Sequence, residues 1–436
     1  MACVKPASEV SSTSPQMVLS TLETKTTEIA DRSNAAERVE PGNIEVAVLT
    51  GGIDPPYVFG LTMALISKGI RLDVIGSDKL DRAEMHTTAG LNFLNLQSTS
   101  QANHSRARRT RKLLAFYVRL LRYASTAKPK IFHILWNNKL EFFDRTLLML
   151  YFKLLRKKIA LTAHNVNTRA RDGNDSALNR FSLKVQYRLV DHIFVHTQKM
   201  KDEIIGAFGP KENAVSVIPF GVNNAVPHTE LTPTEAKRRL GIREGEKTML
   251  FFGAIRPSKG LEYLVDAFGQ LAAKHPNYRL IIAGERKKGY EQYVDSIRLT
   301  ISKDANRSRV IEAIQYVPDA DTELYFKAAD VAVLPYTDIF QSGVLFLSYS
   351  FGLPVIATHV GSFADDVVVG RTGFLCMPCD SIDLAKVVEK YFESDLFQSL
   401  ETHRERIRAH ASAKHSWDIV GETTRDLYAG WSAWRG

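Results

Sequence analysis

The sequence predicts an α/β protein with two parallel, doubly wound sheets that face each other across a cleft. Three observations carry that expectation. Short apolar, β-branched runs of buried-strand length alternate with helical apolar spacing through most of the chain. The alternation falls into two series, over residues 44–219 and 248–358, divided by a polar stretch with Pro227 and Pro233. A chain of 436 residues is also long enough for two domains with separate cores.

In chain order, residues 1–42 are rich in Ser, Thr, Glu and Ala without apolar periodicity, and are expected to be a disordered tail. A first domain is expected over 43–222. The strand IEVAVLT (44–50) is followed at once by Gly51-Gly52, then by helical TMALISKG and the strand RLDVIG (71–76), which makes a β-α-β unit. IFHILW (131–136), IALTAH (159–164), HIFVHT (192–197) and AVSVIP (214–219) are further strands, with helices expected at 141–157, 177–190 and 200–208. Residues 223–246 read as a linker with a short helix. A second domain is expected over 247–412, with strands TMLFFG (248–253), RLIIAG (279–284), RVIEAI (309–314), VAVLP (331–335) and PVIAT (354–358). The segment 413–436 has helical spacing through Trp417, Val420, Leu427 and Tyr428.

Composition narrows the class. No apolar run approaches the roughly 18–20 residues that span a bilayer, and no secretory signal is expected. Cys376-Met377-Pro378-Cys379 is formally CxxC, yet it has no partner pair or His cluster. In a loop after a strand these cysteines read as small buried or half-buried thiols in a reducing cytoplasm, not as a zinc site. The net charge of +9 is concentrated. No carboxylate lies between Glu84 and Glu141, while Arg106, Arg108, Arg109, Arg111, Lys112, Arg119, Arg122, Lys128 and Lys130 do. Leu113, Leu114, Phe116, Tyr117, Val118, Leu120 and Leu121 are interleaved at helical spacing. A basic amphipathic helix of this kind suits an anionic membrane surface, and the chain is expected in the cytoplasm, peripheral on the inner face of the membrane. No nucleic-acid motif accompanies the patch, so nucleic acid is not an expected partner.

Three strand ends of the second sheet carry phosphate-type chemistry. In the loop from Gly253 to Gly260, Arg256 and Lys259 stand just before a helix start and could neutralise a diphosphate. At Gln341-Ser342-Gly343-Val344 a helix begins after a parallel strand: Ser342 can cap it, Gly343 allows close approach, and the amides point at an anion. Gly284-Glu285-Arg286-Lys287-Lys288 adds cations on a neighbouring loop. In the first sheet the candidates are Gly51-Gly52, His133, Trp136, His164 and Asn165. His164 ends a strand and would face the cleft, whereas His133 and His192 read as structural. The glycine pair lacks the full GxGxxG pattern, so no nicotinamide or flavin cofactor is expected.

Arg256-Pro257-Ser258-Lys259-Gly260, Ile282-Ala283-Gly284, Gln341-Ser342-Gly343-Val344 and the run FGLPVIAT (351–358) together resemble glycosyltransferase family 4. The resemblance extends from Ile44 to Trp431. It implies the GT-B fold, with two Rossmann-like domains, the nucleotide-sugar donor on the C-terminal one and the acceptor on the N-terminal one. It also implies that the final helix, with Trp417, returns to the first domain. Carried over by position, Arg256 and Lys259 bind the donor diphosphate, and Gln341, Ser342, Gly343, Val344 and Leu345 hold phosphate and sugar hydroxyls. Gly52 approaches the phosphates from the other lobe, His164 faces the donor sugar, and the backbone at Tyr316-Val317 reads the base. The family's two glutamates fall on Ile339 and Leu347, neither acidic; Asp338, Gln341 and Ser348 stand beside those positions. Asp319-Ala320-Asp321 matches a DxD metal motif but reads as a helix cap, and no metal is expected.

The expectation is therefore a retaining, metal-independent hexosyltransferase that moves a hexose from a UDP- or GDP-sugar to a lipid-linked or polysaccharide-precursor acceptor. A soluble transferase on a small acceptor and a silent nucleotide-sugar-binding homologue are the alternatives.

Overall fold

A computed structural model of the chain describes residues 44–97, 105–171, 174–222, 226, 228–303 and 307–433. The tail expected at 1–42 and part of the stretch at 223–246 lie outside these residues. Two parallel sheets are present. The first has seven strands in the order β3-β2-β1-β4-β5-β6-β7: β1 (Glu45–Leu49), β2 (Arg71–Ser77), β3 (Leu91–Gln97), β4 (Ile131–Ile134), β5 (Lys158–Thr162), β6 (His192–Val195) and β7 (Val215–Val217). The second has six in the order β10-β9-β8-β11-β12-β13: β8 (Lys247–Phe252), β9 (Tyr278–Ala283), β10 (Val310–Ala313), β11 (Val331–Leu334), β12 (Val355–Thr358) and β13 (Gly373–Cys376).

Strand order explains where a ligand can sit. In each sheet the chain winds outward in one direction, then returns to the middle and winds the other way. β1 and β4 flank the reversal in the first sheet, β8 and β11 in the second. At such a point the connections leave on opposite faces, and a crevice opens beyond the carboxyl ends of the strands. The loops after β1, β4, β8 and β11 therefore border the crevice of their own sheet.

Helices cover both faces of the first sheet. On one side α1 (Pro55–Ser67) packs with Tyr57, Val58, Leu61 and Leu65 inward. Its start is set by Pro at the first turn and by Asp54, whose carboxylate accepts from the Tyr57 amide at 3.2 Å. On the other side lie α2 (Arg106–Thr126), α3 (Glu141–Arg145), α4 (Leu147–Leu154), α5 (Ala177–Leu189) and α6 (Gln198–Phe208), whose inward apolar residues share one core with β1, β4, β5 and β6. In the second domain α7 (Leu261–Lys274), α8 (Asp319–Ala328) and α9 (Gly343–Ser350) follow β8, β10 and β11.

The last helix, α10 (Trp417–Ala433), packs on α1 with Val420 and Tyr428 fully buried in the first domain's core. The Trp417 indole lies between Gly60 and Gly221, so close that a β-carbon at either glycine would overlap the ring. Its Nε1 donates to the Val222 carbonyl at 2.7 Å. Across the cleft, Arg82 pairs with Asp319 at 2.8 Å and Phe220 stacks on Phe346.

Two local expectations are corrected. Cys376 closes β13 instead of standing in a loop; its buried thiol donates to the Ala357 carbonyl at 3.6 Å, and burial pushes its pKa up to about 12. Asp319 and Asp321 do not cap α8: Pro318 holds the cap position and both aspartates lie in the first turn, where negative charge meets the positive helix end.

Candidate functional site

One cavity of about 420 Å³ lies between the two sheets, walled by the loops after β1, β4, β5, β6 and β7 of the first, by those after β8 and β11 of the second, and by Trp417. Arg256, Lys259, His164, Gln341, Ser342, Gly343 and Val344 all line it. Sequence spacing pointed to each of them separately; the fold sets them face to face, with His164 on the first domain and the others on the second. Gly52, Val317 and Leu345 are not among the lining residues. Gly52 (φ 72) faces Gln97 and Ser77, Val317 packs on the second core, and Leu345 is buried with its amide donating to the Ser342 carbonyl at 3.1 Å.

The cation side is built on β8. After Phe252 the chain passes through Arg256 in extended backbone (φ −163°), makes a single turn over Pro257–Lys259 and enters α7 through Gly260. Gly260 has φ 61°, and a β-carbon there would overlap the Pro335 carbonyl, so only glycine lets the loop press against the end of β11. Lys259 Nζ sits 3.5 Å above the ring centre of buried Tyr336, a cation–π contact that steers the ammonium toward the cavity. The third cation loop does not reach the site. Arg286 and Lys287 are solvent-exposed and pair with Glu291 and Glu285, while the loop backbone bonds to Ile255 on both sides and props the Arg256 loop.

Opposite the loop is the start of α9. Ser342 occupies the cap position, yet its side chain makes no cap bond; the hydroxyl turns to the Tyr336 hydroxyl at 3.4 Å. What faces the cavity is therefore the helix end itself, with exposed Gly343 leaving room for a ligand. Ile339 and Leu347, both nearly buried, also line the wall. The part of the wall where the resemblance puts carboxylates is thus hydrocarbon. Ser348 offers no substitute, since its hydroxyl donates to the Val344 carbonyl at 2.8 Å. Gln341 does: its buried Oε1 has no hydrogen-bond partner among the described residues.

The first-domain wall is aromatic. Buried Tyr57 is met edge-on by Trp136, His164, His196 and Trp417 and at a tilt by Phe220, and Trp136 stacks flat on His164 at 4.0 Å between ring centres. Two histidines are linked through this cluster. His196 Nδ1 faces the Ile218 carbonyl at 3.3 Å, and a carbonyl only accepts, so the proton is on Nδ1 and Nε2 is bare. Nε2 lies 3.0 Å from His164 Nδ1, which must then donate. His164 Nε2 is left as a lone pair, buried and without a protein partner among the described residues. Burial, then the neighbouring His196 and His133, hold His164 well below the usual histidine range, and burial lowers His196 to about 4. The pair presents a neutral acceptor of hydrogen bonds to the cavity. Asp54 also lines the wall, with its carboxyl raised by burial.

Sequence reading missed His196, Tyr57 and Asp54. A signal for His196 was present: the β5–β6 register pairs Thr162 with Phe194, and two residues further on it brings His164 beside His196. His133 and His192 are structural. His133 is buried between Thr162 (2.8 Å) and the Tyr428 hydroxyl (2.6 Å), and His192 bonds to Ser216.

A pH dependence follows. Burial lowers His133 to about 3 and His192, His196 and His415 to about 4, all below the value of about 6.5 in an unfolded chain. Between those values the unfolded chain binds more protons than the native one, so stability is lost as pH falls from about 6.5 toward 4. Five carboxyls raised by burial, Asp54, Asp144, Glu203, Glu262 and Asp366, act in the opposite sense, but they are outnumbered by the seven histidines that burial lowers, His164, His228 and His410 being the other three. The melting temperature is expected to fall progressively from pH 7 to pH 4.5; a flat or rising profile in a calorimetric series contradicts the neutral-histidine assignment.

Two family descriptions match the chain: "Glycosyltransferase Family 4" over residues 56–226 and "Glycosyl transferases group 1" over residues 233–413. Among curated relatives, D-inositol 3-phosphate glycosyltransferase of Pseudarthrobacter chlorophenolicus is 27% identical over 248 residues, 56% of this chain and 57% of that protein. Glycogen synthase of Mycobacterium tuberculosis is 27% identical over 242 residues, 55% and 54% of the two chains. The chain thus spans about half the length of the curated relatives it matches. Of solved structures, sucrose-phosphate synthase from Thermosynechococcus elongatus superposes with a TM-score of 0.72 at 18% identity, covering 90% of this chain and 100% of that one. Anabaena HepE in complex with UDP and glucose gives 0.70 at 16% identity, covering 89% and 100%. The fold is GT-B. With both halves matched and the two-sheet architecture in place, the chain belongs to glycosyltransferase family 4, the group 1 glycosyltransferases.

Proposed function

We propose that the protein transfers a hexose from a UDP- or GDP-sugar to a lipid-linked or polysaccharide-precursor acceptor, with retention of configuration and without a metal. The observation that carries this reading is the convergence of Arg256, Lys259 and the start of α9 on one interdomain cavity, opposite His164. Two cations and a helix end supply what a diphosphate requires as negative charge builds on it during departure. In this reading Arg256 and Lys259 hold the diphosphate, and Gly343 and Val344 offer amides. Gln341 and the lone pair of His164 accept from sugar hydroxyls. Gly52 and Val317 act through backbone from behind the wall, Val317 beside the exposed ring of Tyr316 at the base, whereas Leu345, its amide taken up by the Ser342 carbonyl, only backs the wall. The acceptor enters on the first domain, presented at an anionic membrane surface, and the protein acts at the inner face of the membrane. Relatives named for inositol phosphate, glycogen and sucrose phosphate support the class of reaction.

A second reading rests on one specific feature. Hydrocarbon at Ile339 and Leu347 leaves fewer groups for the sugar, which suits a homologue that binds nucleotide sugar without transfer. Incubation with UDP- and GDP-hexoses and lipid-linked or small acceptors, followed by detection of released nucleoside diphosphate and product, separates the two. Release with a product of unchanged anomeric configuration, insensitive to chelator, supports transfer. Donor binding with neither transfer nor hydrolysis supports the silent homologue.

A further inference from the structure

The helical layer α2–α5 carries eight of the seventeen exposed large apolar side chains among the described residues. Its inner faces are spent on the core, so these outer residues have no role in folding. They are ordered. On α2, Arg111, Leu114, Val118 and Arg122 follow i, i+3, i+7, i+11 and form one line along the helix, all exposed. On α4, Leu147, Leu150 and Leu154 do the same, Leu154 at 81% exposure. On α5, Leu178 and Phe181 share one exposed line, and Arg180, Lys184 and Arg188 form another beside it.

The helices are neighbours in one layer: the Tyr151 hydroxyl of α4 donates to the Leu121 carbonyl of α2, and the Tyr117 hydroxyl of α2 meets Asp144 of α3. Their charge is one-sided. α2, α4 and α5 contain no carboxylate, and of the two on α3, Glu141 is bridged by Arg145 and Arg169 at 3.2 Å each while Asp144 is buried.

We infer that this face docks on an anionic lipid bilayer, with the leucine lines of α4 and α2 entering the interface and the flanking cations meeting lipid phosphates. Apolar stripes alternating with basic ones match the interface between acyl chains and anionic headgroups. They match a second copy of the chain poorly, because a two-fold contact would set cations against cations. Sequence alone pointed to α2 and to charge; the fold adds α4, whose attraction is apolar, and α5. The inner faces of α3 and α5 line a second cavity of about 430 Å³ that shares Trp136, His164 and Asn165 with the interdomain cavity. A bilayer-held acceptor would therefore lie close to His164, a corollary that rests on the proposed function, whereas the docking itself does not.

Flotation of the full chain with vesicles tests it, without donor or acceptor. Wild type is expected to float with phosphatidylglycerol–phosphatidylcholine vesicles and at least tenfold less with phosphatidylcholine alone. The double variant Leu150→Glu/Leu154→Glu should lose at least tenfold of the bound fraction at unchanged melting temperature, whereas Leu299→Glu, an equally exposed change on the other domain, should retain it. Equal binding to both vesicle types, no binding by wild type, or full retention by the double variant overturns the inference. Dimerisation of wild type that the double variant abolishes, with no flotation, also overturns it and assigns the face to a second copy. Nucleotide-sugar binding is measured separately, so loss of that binding with flotation intact counts against the proposed function alone.

Discussion

Arg256→Ala is expected to lower kcat/KM for sugar transfer by about 10²–10³, the usual effect of removing a group that meets charge formed in the transition state. Lys259→Ala should fall in the same range. Arg256 brings a planar fork that can bind two phosphate oxygens at once, so Arg256→Lys should recover little. Lys259 acts as a point charge held over Tyr336 at 3.5 Å, and Tyr336→Leu should weaken it partly by letting the ammonium wander. Arg286→Ala is the control: its guanidinium is exposed and engaged with Glu291, and it should change kcat/KM less than about threefold, the range of a screened surface charge. Steady-state kinetics across these variants check the set. A large loss in Arg286→Ala alone would relocate the diphosphate to the neighbouring loop.

Trp417→Ala is expected to destabilise the protein by roughly 3 kcal/mol, at the lower end for an aromatic truncated to alanine because the ring is only half-buried. For domains of this size that is a drop of roughly 6–12 °C in Tm. The ring fills the space between Gly60 and Gly221, and its Nε1 satisfies the Val222 carbonyl where the chain leaves the first domain. Since Trp417 also lines the interdomain cavity, the variant should lose transfer activity below its melting point as well. Gly60→Ala should reproduce the stability loss from the other partner, because the added carbon collides with the indole. Calorimetry on both variants checks this, and a Tm within 2 °C of wild type in each would show that the last helix is not clamped by this contact.

Most of the sheet architecture was legible because the central strands are buried on both faces. VAVL in β11 and VIAT in β12 are continuous apolar runs with every residue buried, a pattern that a surface helix does not produce. β3 escaped notice for the same reason in reverse. LNFLNLQ is an edge strand with half-buried and exposed positions, and its asparagines bond to Asp73 and Asp78 at the sheet border. β13, only four residues long and opening on Gly373, is too short to show a period.

The site was legible where local pattern and strand end coincide, as at Arg256, Lys259 and Gly343. It was misleading where a loop's charge is local but its direction is set by pairing: the Lys287 amide is tied to the Ile255 carbonyl, which keeps the Gly284–Lys288 cations in solvent. Ser342 illustrates a second limit, since a residue suited to capping found a better-placed partner in Tyr336, six positions earlier and brought close only by the β11–α9 turn. His196 shows the third. Its link to His164 depends on strand register, which apolar periodicity alone does not specify.

The central claim is that the interdomain cavity binds a nucleotide sugar through Arg256 and Lys259. Thermal shift of the wild type against a panel of UDP-, GDP- and ADP-sugars, repeated on Arg256→Ala and Lys259→Ala, tests it most directly. The account predicts stabilisation of the wild type by one class of donor and loss of that shift in both variants, whose unliganded Tm stays near that of the wild type. No shift with any nucleoside diphosphate or sugar, or an undiminished shift in both variants, would contradict it.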